Sequence, residues 1–303
     1  MDIVMQRRNF RKTRKRWDLF FIALPLIIAL IALRYIPLLG WYLSVVEYKV
    51  GIPILENKYV GLDNFVRLLR TKAFLRSLNN TLIFSAFKYA FLVLPPLFAI
   101  MFSEIGNARF RKVIQTVSTL PYFISWVIIY GLVYALFSTE GPVNLLYGLF
   151  GTTQSYMTDK NAVYIFQSLL QLWKGLGWNS IIYVAAITAI DTELYDAASI
   201  DGAGYFKQAI HVTVPGLMPT FVVMLLLGVA DFVNNGMDQY YVFQNAMIYE
   251  NIETLELFTY KQGLKLMDYS YATAVGIMKS GVSIVLLFGT NAFAKKVRGE
   301  SII

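Results

Sequence analysis

The chain has 303 residues, of which 57% are hydrophobic and only 15% charged, with a formal net charge of +8. Soluble domains carry about 25% charged residues, so this composition belongs to a membrane protein. The absence of cysteine and the single histidine, His211, exclude a disulfide scaffold, a cysteine nucleophile and a multi-histidine metal site within the chain.

The chain opens on a basic segment, 1–18, with seven Lys/Arg. It reads as a topology anchor against anionic lipid, and no nucleic-acid partner is expected. Residues 19–303 then form one all-α membrane domain. Six segments are long and apolar enough for a spanning helix: about 19–39, 81–102, 113–137, 162–190, 214–232 and 271–294. Pro25, Pro37, Pro95, Pro96 and Pro121 lie in or near them, which neighbouring helices tolerate in a bundle. The first run exceeds a signal peptide in length and five more follow, so it is kept as a span.

With both termini cytoplasmic, the basic start, Arg109, Arg111 and Lys112 after the second span, and Lys295, Lys296 and Arg298 at the end all fall inside. The external loop 138–161 holds only Lys160, as the positive-inside rule requires. The first external loop, about 40–78, runs against the rule with six Lys/Arg.

Span four carries a polar stripe. Tyr164, Gln167, Gln171, Lys174 and Trp178 recur at spacings of three and four and so share one helix face, with Asn179 beside it. A charge at that depth is costly and should face protein or water. Amides and an aromatic platform suit a sugar, whose hydroxyls take hydrogen bonds while its ring faces stack. Polar stripes also hold helices together. These six residues are the candidate substrate pathway, part touching cargo and part packing on a sister subunit. Lys88, Lys279, Asp231 and Asn234 are further polar groups in or near spans. Either lysine could pair with an acid of a partner, bind cargo or snorkel.

Residues 191–213 lie on the cytoplasmic side between spans four and five. Asp191 can cap a short helix, with Glu193 favouring its dipole. "DGAG" (Asp201–Gly204) supplies backbone for a sharp reversal. A second short helix, 205–211, presents Phe206 and Ile210 before Pro215 starts span five. The expected result is a helix-turn-helix knob, apolar at its tip and ringed with carboxylates. A solvated loop is the plainer alternative.

"ELYDAASIDGAGYFKQAIHVTVPGLMP" resembles the EAA loop of binding-protein-dependent ABC importer permeases, with pattern Glu-Ala-Ala, three residues, Gly, nine residues, Ile-x-Leu-Pro. Asp196, Ala197 and Ala198 fill the triplet, Gly202 follows, and Val212-Thr-Val214-Pro215 closes it. The departures are Asp for Glu and Val for both Ile and Leu. "LPYFISWVIIYGLVYALFSTEGPVN" (from Leu120) and "WKGLGWNSIIYVAAI" (from Trp173) are similar to carbohydrate-uptake permeases grouped with MalF and, more closely, with the LplB type.

The resemblance implies a type I ABC importer permease in the bacterial cytoplasmic membrane, importing a carbohydrate, in particular an oligosaccharide. Alternatives are a non-sugar solute or, with less support, a self-contained secondary transporter. Glu193, Asp196, Ala197, Ala198, Asp201, Gly202, Phe206 and Pro215 would form the coupling helix that docks on an ATPase dimer. Because the chain has no G-x-x-x-x-G-K-[ST] loop, ATP and Mg would be held by that partner, and this chain would be neither an enzyme nor a cofactor carrier. The remaining partners implied are a second permease subunit, forming a heterodimer, and an external substrate-binding lipoprotein.

Overall fold

The computed structural model describes residues 17, 19–149 and 156–298. The basic segment 1–18 thus lies outside the described residues apart from Trp17. Packing separates two units, one drawn from Met1–Leu68 and Gln262–Ile277, the other from Leu69–Lys261 and Met278–Ile303.

In the first unit, α1 (Leu19–Val45) is helical well beyond the expected 19–39. It changes winding at Ile31–Tyr35, a π-helical turn in which the Ile36 N–H reaches the Ile31 carbonyl, and then tightens into a 3-10 helix over Ile36–Val45. The cause is Pro37, which has no N–H to offer the preceding turn, so the ladder shifts register around it. The strands β1 (Val46–Glu47) and β2 (Lys58–Tyr59) pair antiparallel, Val46 opposite Tyr59. Asn57 holds the intervening loop, accepting from Lys49 N at 2.8 Å and donating to Pro53 O at 2.9 Å. Next comes α2 (Asp63–Arg70). Its Arg67 meets Asp268 at 2.7 Å and lies 4.4 Å from the Tyr271 ring centroid. That acid answers one of the cations that ran against the charge rule.

The second unit begins with α3 (Lys72–Ala90), which continues through a 3-10 turn at Phe91–Val93 into α4 (Leu94–Ser103). Pro95 and Pro96 cause no break because they stand in α4's first turn, where donors are unpaired anyway. The single helix expected over 113–137 is instead two. α5 (Ala108–Phe123) is capped by Asn107 and ends at Ile124, and α6 (Trp126–Phe137) starts under Ser125, whose Oγ accepts from Ile128 N. Pro121 weakens α5's last turn by removing a donor, and Ser125 supplies a new start.

After α7 (Pro142–Gly148) comes α8 (Val163–Thr188), which packs along α3, α4 and α5. Gly177 is obligatory there: a Cβ at this position would collide with the Ser118 carbonyl of α5. The chain continues through α9 (Thr192–Ile200) and α10 (Tyr205–Gln208) into α11 (Val214–Ala230). Span five was expected to begin at 214, yet the helix is unbroken from Tyr205 to Val229. A π-helical turn at Ala209–Thr213, with Val214 N–H on Ala209 O, absorbs Pro215 as α1 absorbs Pro37.

Three short helices follow, α12 (Asp238–Phe243), α13 (Tyr249–Ile252) and α14 (Leu255–Tyr260), before α15 (Tyr269–Arg298). Phe84, Ile129, Val133, Val163, Phe166, Tyr240, Phe243 and Leu257 form the main core, and Phe84 lies 4.7 Å from the Tyr240 ring. The stretch 249–261 is fastened to α3 by polar groups. Asn80 Nδ2 donates to the carbonyls of Glu250 (2.7 Å) and Glu253 (3.0 Å). Buried Glu253 takes Lys261 at 2.7 Å and Ser77 Oγ at 3.2 Å. Arg76 meets Glu250 at 2.5 Å, so a second cation of the 40–78 stretch is matched by an acid.

Thr81 Oγ1 accepts from the buried Leu255 N–H at 2.9 Å and donates to Ser77 O at 2.8 Å. Thr81→Val keeps the shape and orphans that N–H, so stability should fall by about 1–3 kcal/mol. Thermal unfolding of the detergent-solubilised protein measures it, and an unchanged midpoint would show that the staple contributes nothing.

Among the described residues, five helical stretches are long and apolar enough to cross a membrane: Leu19–Val45, Lys72–Ser103, Trp126–Gly148, Tyr205–Val229 and Tyr269–Gly289. The 26-residue α8 is not among them. Its apolar run is interrupted by Gln167, Gln171, Lys174 and Asn179, the residues that form the polar stripe.

Candidate functional site

Two features of the second unit carry function-bearing chemistry. The first is the knob over 191–213. Asp191 caps α9 by accepting from Glu193 N at 3.0 Å. The helix ends in a Schellman motif: Gly202 N bonds Ser199 O at 3.0 Å, Ala203 N bonds Ala198 O at 2.9 Å, and Gly202 adopts φ +75°. Only glycine takes that backbone without strain, which is what "DGAG" supplies.

The reversal is braced from inside. Gln208 Nε2 donates to Ser199 Oγ and to Ala203 O, both at 2.9 Å, and Tyr195 OH lies 3.0 Å from Thr213 Oγ1. Those bonds commit the polar groups of Tyr195, Ser199 and Gln208 to partners within the knob. They leave Ile200 (87% exposed), Tyr205 (79%) and Phe206 (78%) projecting, with Leu194 and Ile210 about half exposed. Glu193, Asp196, Ala197, Asp201, Gly202 and Pro215 are exposed as well, and Ala198 is half-buried against the knob. His211 is an exposed polar residue whose Nδ1 lies 3.0 Å from Lys207 O.

The second feature is a cleft of about 330 Å3 between α3, α5, α6 and α8. Three of the six stripe residues line it: Gln171, Lys174 and Asn179. Trp178 closes on its neighbour Tyr122, the two rings stacked at 4.5 Å and 4°. The upper stripe turns elsewhere. Tyr164 OH donates to Asn80 Oδ1 at 2.7 Å, and Gln167, 1% exposed, takes the Gln239 amide at 2.8 Å. Those two act as internal glue, while the lower stripe faces open space.

Lys174 explains the broken helix. Its Nζ donates to the carbonyls of Pro121 (3.0 Å), Tyr122 (2.8 Å) and Ile124 (2.5 Å). It thereby supplies a donor to the Tyr122 and Ile124 carbonyls and a second one to Pro121 O, which already accepts from Ile124 N at 3.2 Å, at a helix end where the dipole also favours a cation.

Two further charges in or near the spans, Lys279 and Asp231, have hydrogen-bond partners within the chain. Lys279 meets Glu256 at 2.5 Å and Asn234 at 3.2 Å. Asp231 accepts from Asn234 at 2.8 Å and lies 3.9 Å from Lys88. Sequence reasoning missed Glu256, because its acidity reads as loop rather than as the counter-ion of a distant helix. It also missed Ser168, Tyr122 and Trp126 as cleft-lining residues. Ser168 lies three residues before Gln171, so helical spacing from that residue would have been its signal.

The chain is similar to known transport proteins. Residues 92–299 match the family described as binding-protein-dependent transport system inner membrane component. The chain is 35% identical over 300 residues to the polygalacturonan/rhamnogalacturonan transport system permease protein YteP of Bacillus subtilis (strain 168), covering 98% of this chain and 94% of that one. It is 31% identical over 292 residues to protein LplB of the same organism, covering 95% and 92%. A chain of the crystal structure of a bacterial alginate ABC transporter, in complex with an alginate pentasaccharide-bound periplasmic protein, superposes with a TM-score of 0.86. Identity there is 28%, covering 96% of this chain and 99% of that one.

Proposed function

Because the chain belongs to the binding-protein-dependent transport system inner membrane component family, we propose that it is the permease subunit of an ATP-driven importer of oligosaccharides. In this reading the chain crosses the bacterial cytoplasmic membrane six times, with α8 as the fourth span and both termini in the cytoplasm. The alginate and polygalacturonan/rhamnogalacturonan relatives support a saccharide cargo. The polar and aromatic cleft beside α8 supports a route for it.

The observation that carries the proposal is the braced, exposed knob of α9 and α10 in a chain that has no phosphate-binding loop of its own. Glu193, Asp196, Ala197, Ala198, Asp201, Gly202, Phe206 and Pro215 are its coupling segment, presented to a cytoplasmic ATPase dimer that holds ATP and Mg. A second permease and an external substrate-binding lipoprotein complete the importer. An ATPase biases transport through such a contact only when it binds the knob differently in its two nucleotide states. Cargo then passes Gln171 and Asn179, which offer amides to sugar hydroxyls. Lys174, Tyr164 and Gln167 hold the walls, and Trp178 shapes the entrance with Tyr122.

The test is recovery of partners from mild detergent. The wild-type chain should bring down an ATPase and a second permease. Gly202→Pro, which cannot adopt φ +75°, and Asp196→Lys should lose the ATPase and retain the permease. Undiminished ATPase recovery in both variants would reject the coupling assignment.

A further inference from the structure

The cleft carries two lysines, Lys88 and Lys174, and no carboxylate among its lining residues. An ammonium has three N–H donors. Those of Lys174 are matched by the three carbonyls at the end of α5, at 3.0, 2.8 and 2.5 Å, which leaves none for a ligand. Lys88 is the opposite case. It makes no hydrogen bond among the described residues, and its nearest counter-charge, Asp231 Oδ2, stands at 3.9 Å, outside hydrogen-bond range. Asp231 is itself 54% exposed and already accepts from Asn234 through its other oxygen. Ser168 adds a second, independent observation. It is 4% exposed, lines the same cleft, and its Oγ has no hydrogen-bond partner among the described residues. Buried hydroxyls are ordinarily satisfied.

We propose that Lys88 is the cargo-selecting residue of this cleft, binding the carboxylate of a uronate-type sugar unit in place of Asp231. The inference rests on the saccharide-importer reading and names the substrate class of that same site. One open cation matches one carboxylate, whereas a phosphate dianion would call on a second cation that Lys174 cannot supply. The hydroxyls of the same unit meet Ser168, Gln171 and Asn179, and Trp126 offers a ring face. A neutral sugar in the cleft leaves Lys88 facing only the distant Asp231. The site therefore discriminates by the group a neutral sugar leaves unpaired. Lys174 is a positioning residue that holds the wall of the cleft.

The experiment uses the complete importer, this chain with its partner subunits and binding protein, in proteoliposomes supplied with ATP. The probes are trigalacturonate and its fully methyl-esterified, uncharged counterpart. Because only the permease is altered, a change in the ratio of acidic to neutral uptake reports on the cleft. Lys88→Met should lower that ratio by roughly ten- to a hundredfold, the loss expected for a hydrogen bond to a charged group. Lys88→Arg should keep it. Asp231→Asn, which removes the competing counter-ion, should raise acidic uptake at low probe concentration. A ratio unchanged in both Lys88→Met and Asp231→Asn, or a proportional fall for both probes in Lys88→Met, overturns the assignment while leaving the importer reading intact. Wild-type vesicles that import neither probe on ATP overturn the assignment, and the importer reading falls with it only when no other oligosaccharide is taken up either.

Discussion

Replacing Ile200 and Phe206 together by aspartate should abolish ATPase docking and ATP-driven uptake while leaving the protein's own fold unchanged. Both side chains project from the knob, 87% and 78% exposed, and neither belongs to the core of the chain. Burying two such groups in a partner's groove contributes about 3–6 kcal/mol, so their loss should weaken docking more than roughly a hundredfold. The new charges also sit among Glu193, Asp196 and Asp201, where a fourth and fifth carboxylate would repel. Asp196→Asn should by contrast weaken docking only slightly, since an exposed ion pair contributes about 0–1 kcal/mol. ATPase recovery from detergent and vesicle uptake measure the first effect, and the thermal midpoint controls for folding. Full recovery in the double variant would mean that the apolar tip does not face the ATPase.

Lys174→Met should destabilise the protein by roughly 2 kcal/mol or more: of its three acceptors Pro121 O keeps the Ile124 N–H, while the Tyr122 and Ile124 carbonyls lose their partner at about 1–3 kcal/mol each. The three carbonyls concerned sit at the junction of α5 and α6, so the damage is local to the cleft wall. Tyr122 and Trp126 flank the same ammonium, with ring centroids 5.7 and 5.4 Å from Nζ, and would lose their anchor. The expected signature is a lowered thermal midpoint with a parallel loss of neutral and acidic uptake. That pattern separates Lys174 from Lys88, whose removal should change selectivity instead. An unaltered midpoint would show that water takes over the carbonyls without cost.

Most of the knob was legible because its signals are local. A capping Asp191, a first-turn Glu193 and a glycine at the helix end each act within a few residues, and each stands where the sequence places it. The break in the third segment was only half legible. Pro121 and Ser125 mark a weak point, yet a proline can also be carried through a membrane helix, as Pro37 and Pro215 are by π-helical turns. The outcome depends on whether something collects the freed carbonyls, and here that group is Lys174, fifty residues further along the chain. The polar stripe shows the same limit. Helical spacing puts Tyr164, Gln167, Gln171 and Lys174 on one face, but it does not reveal that Asn80 and Gln239 await the first two while a cleft awaits the others.

Membrane composition, the apolar runs and the turn chemistry of 191–213 are therefore written in the chain itself, because hydropathy, capping and glycine backbone freedom are short-range properties. The roles of the buried charges are not. Lys279 is a counter-ion to Glu256, Lys174 is a helix cap, and Lys88 lines a cleft with Asp231 at 3.9 Å as its nearest counter-charge among the described residues. In a medium of low dielectric a charge takes its function from its nearest partner. Packing α3, α5, α8, α14 and α15 together is what decides which partner that is.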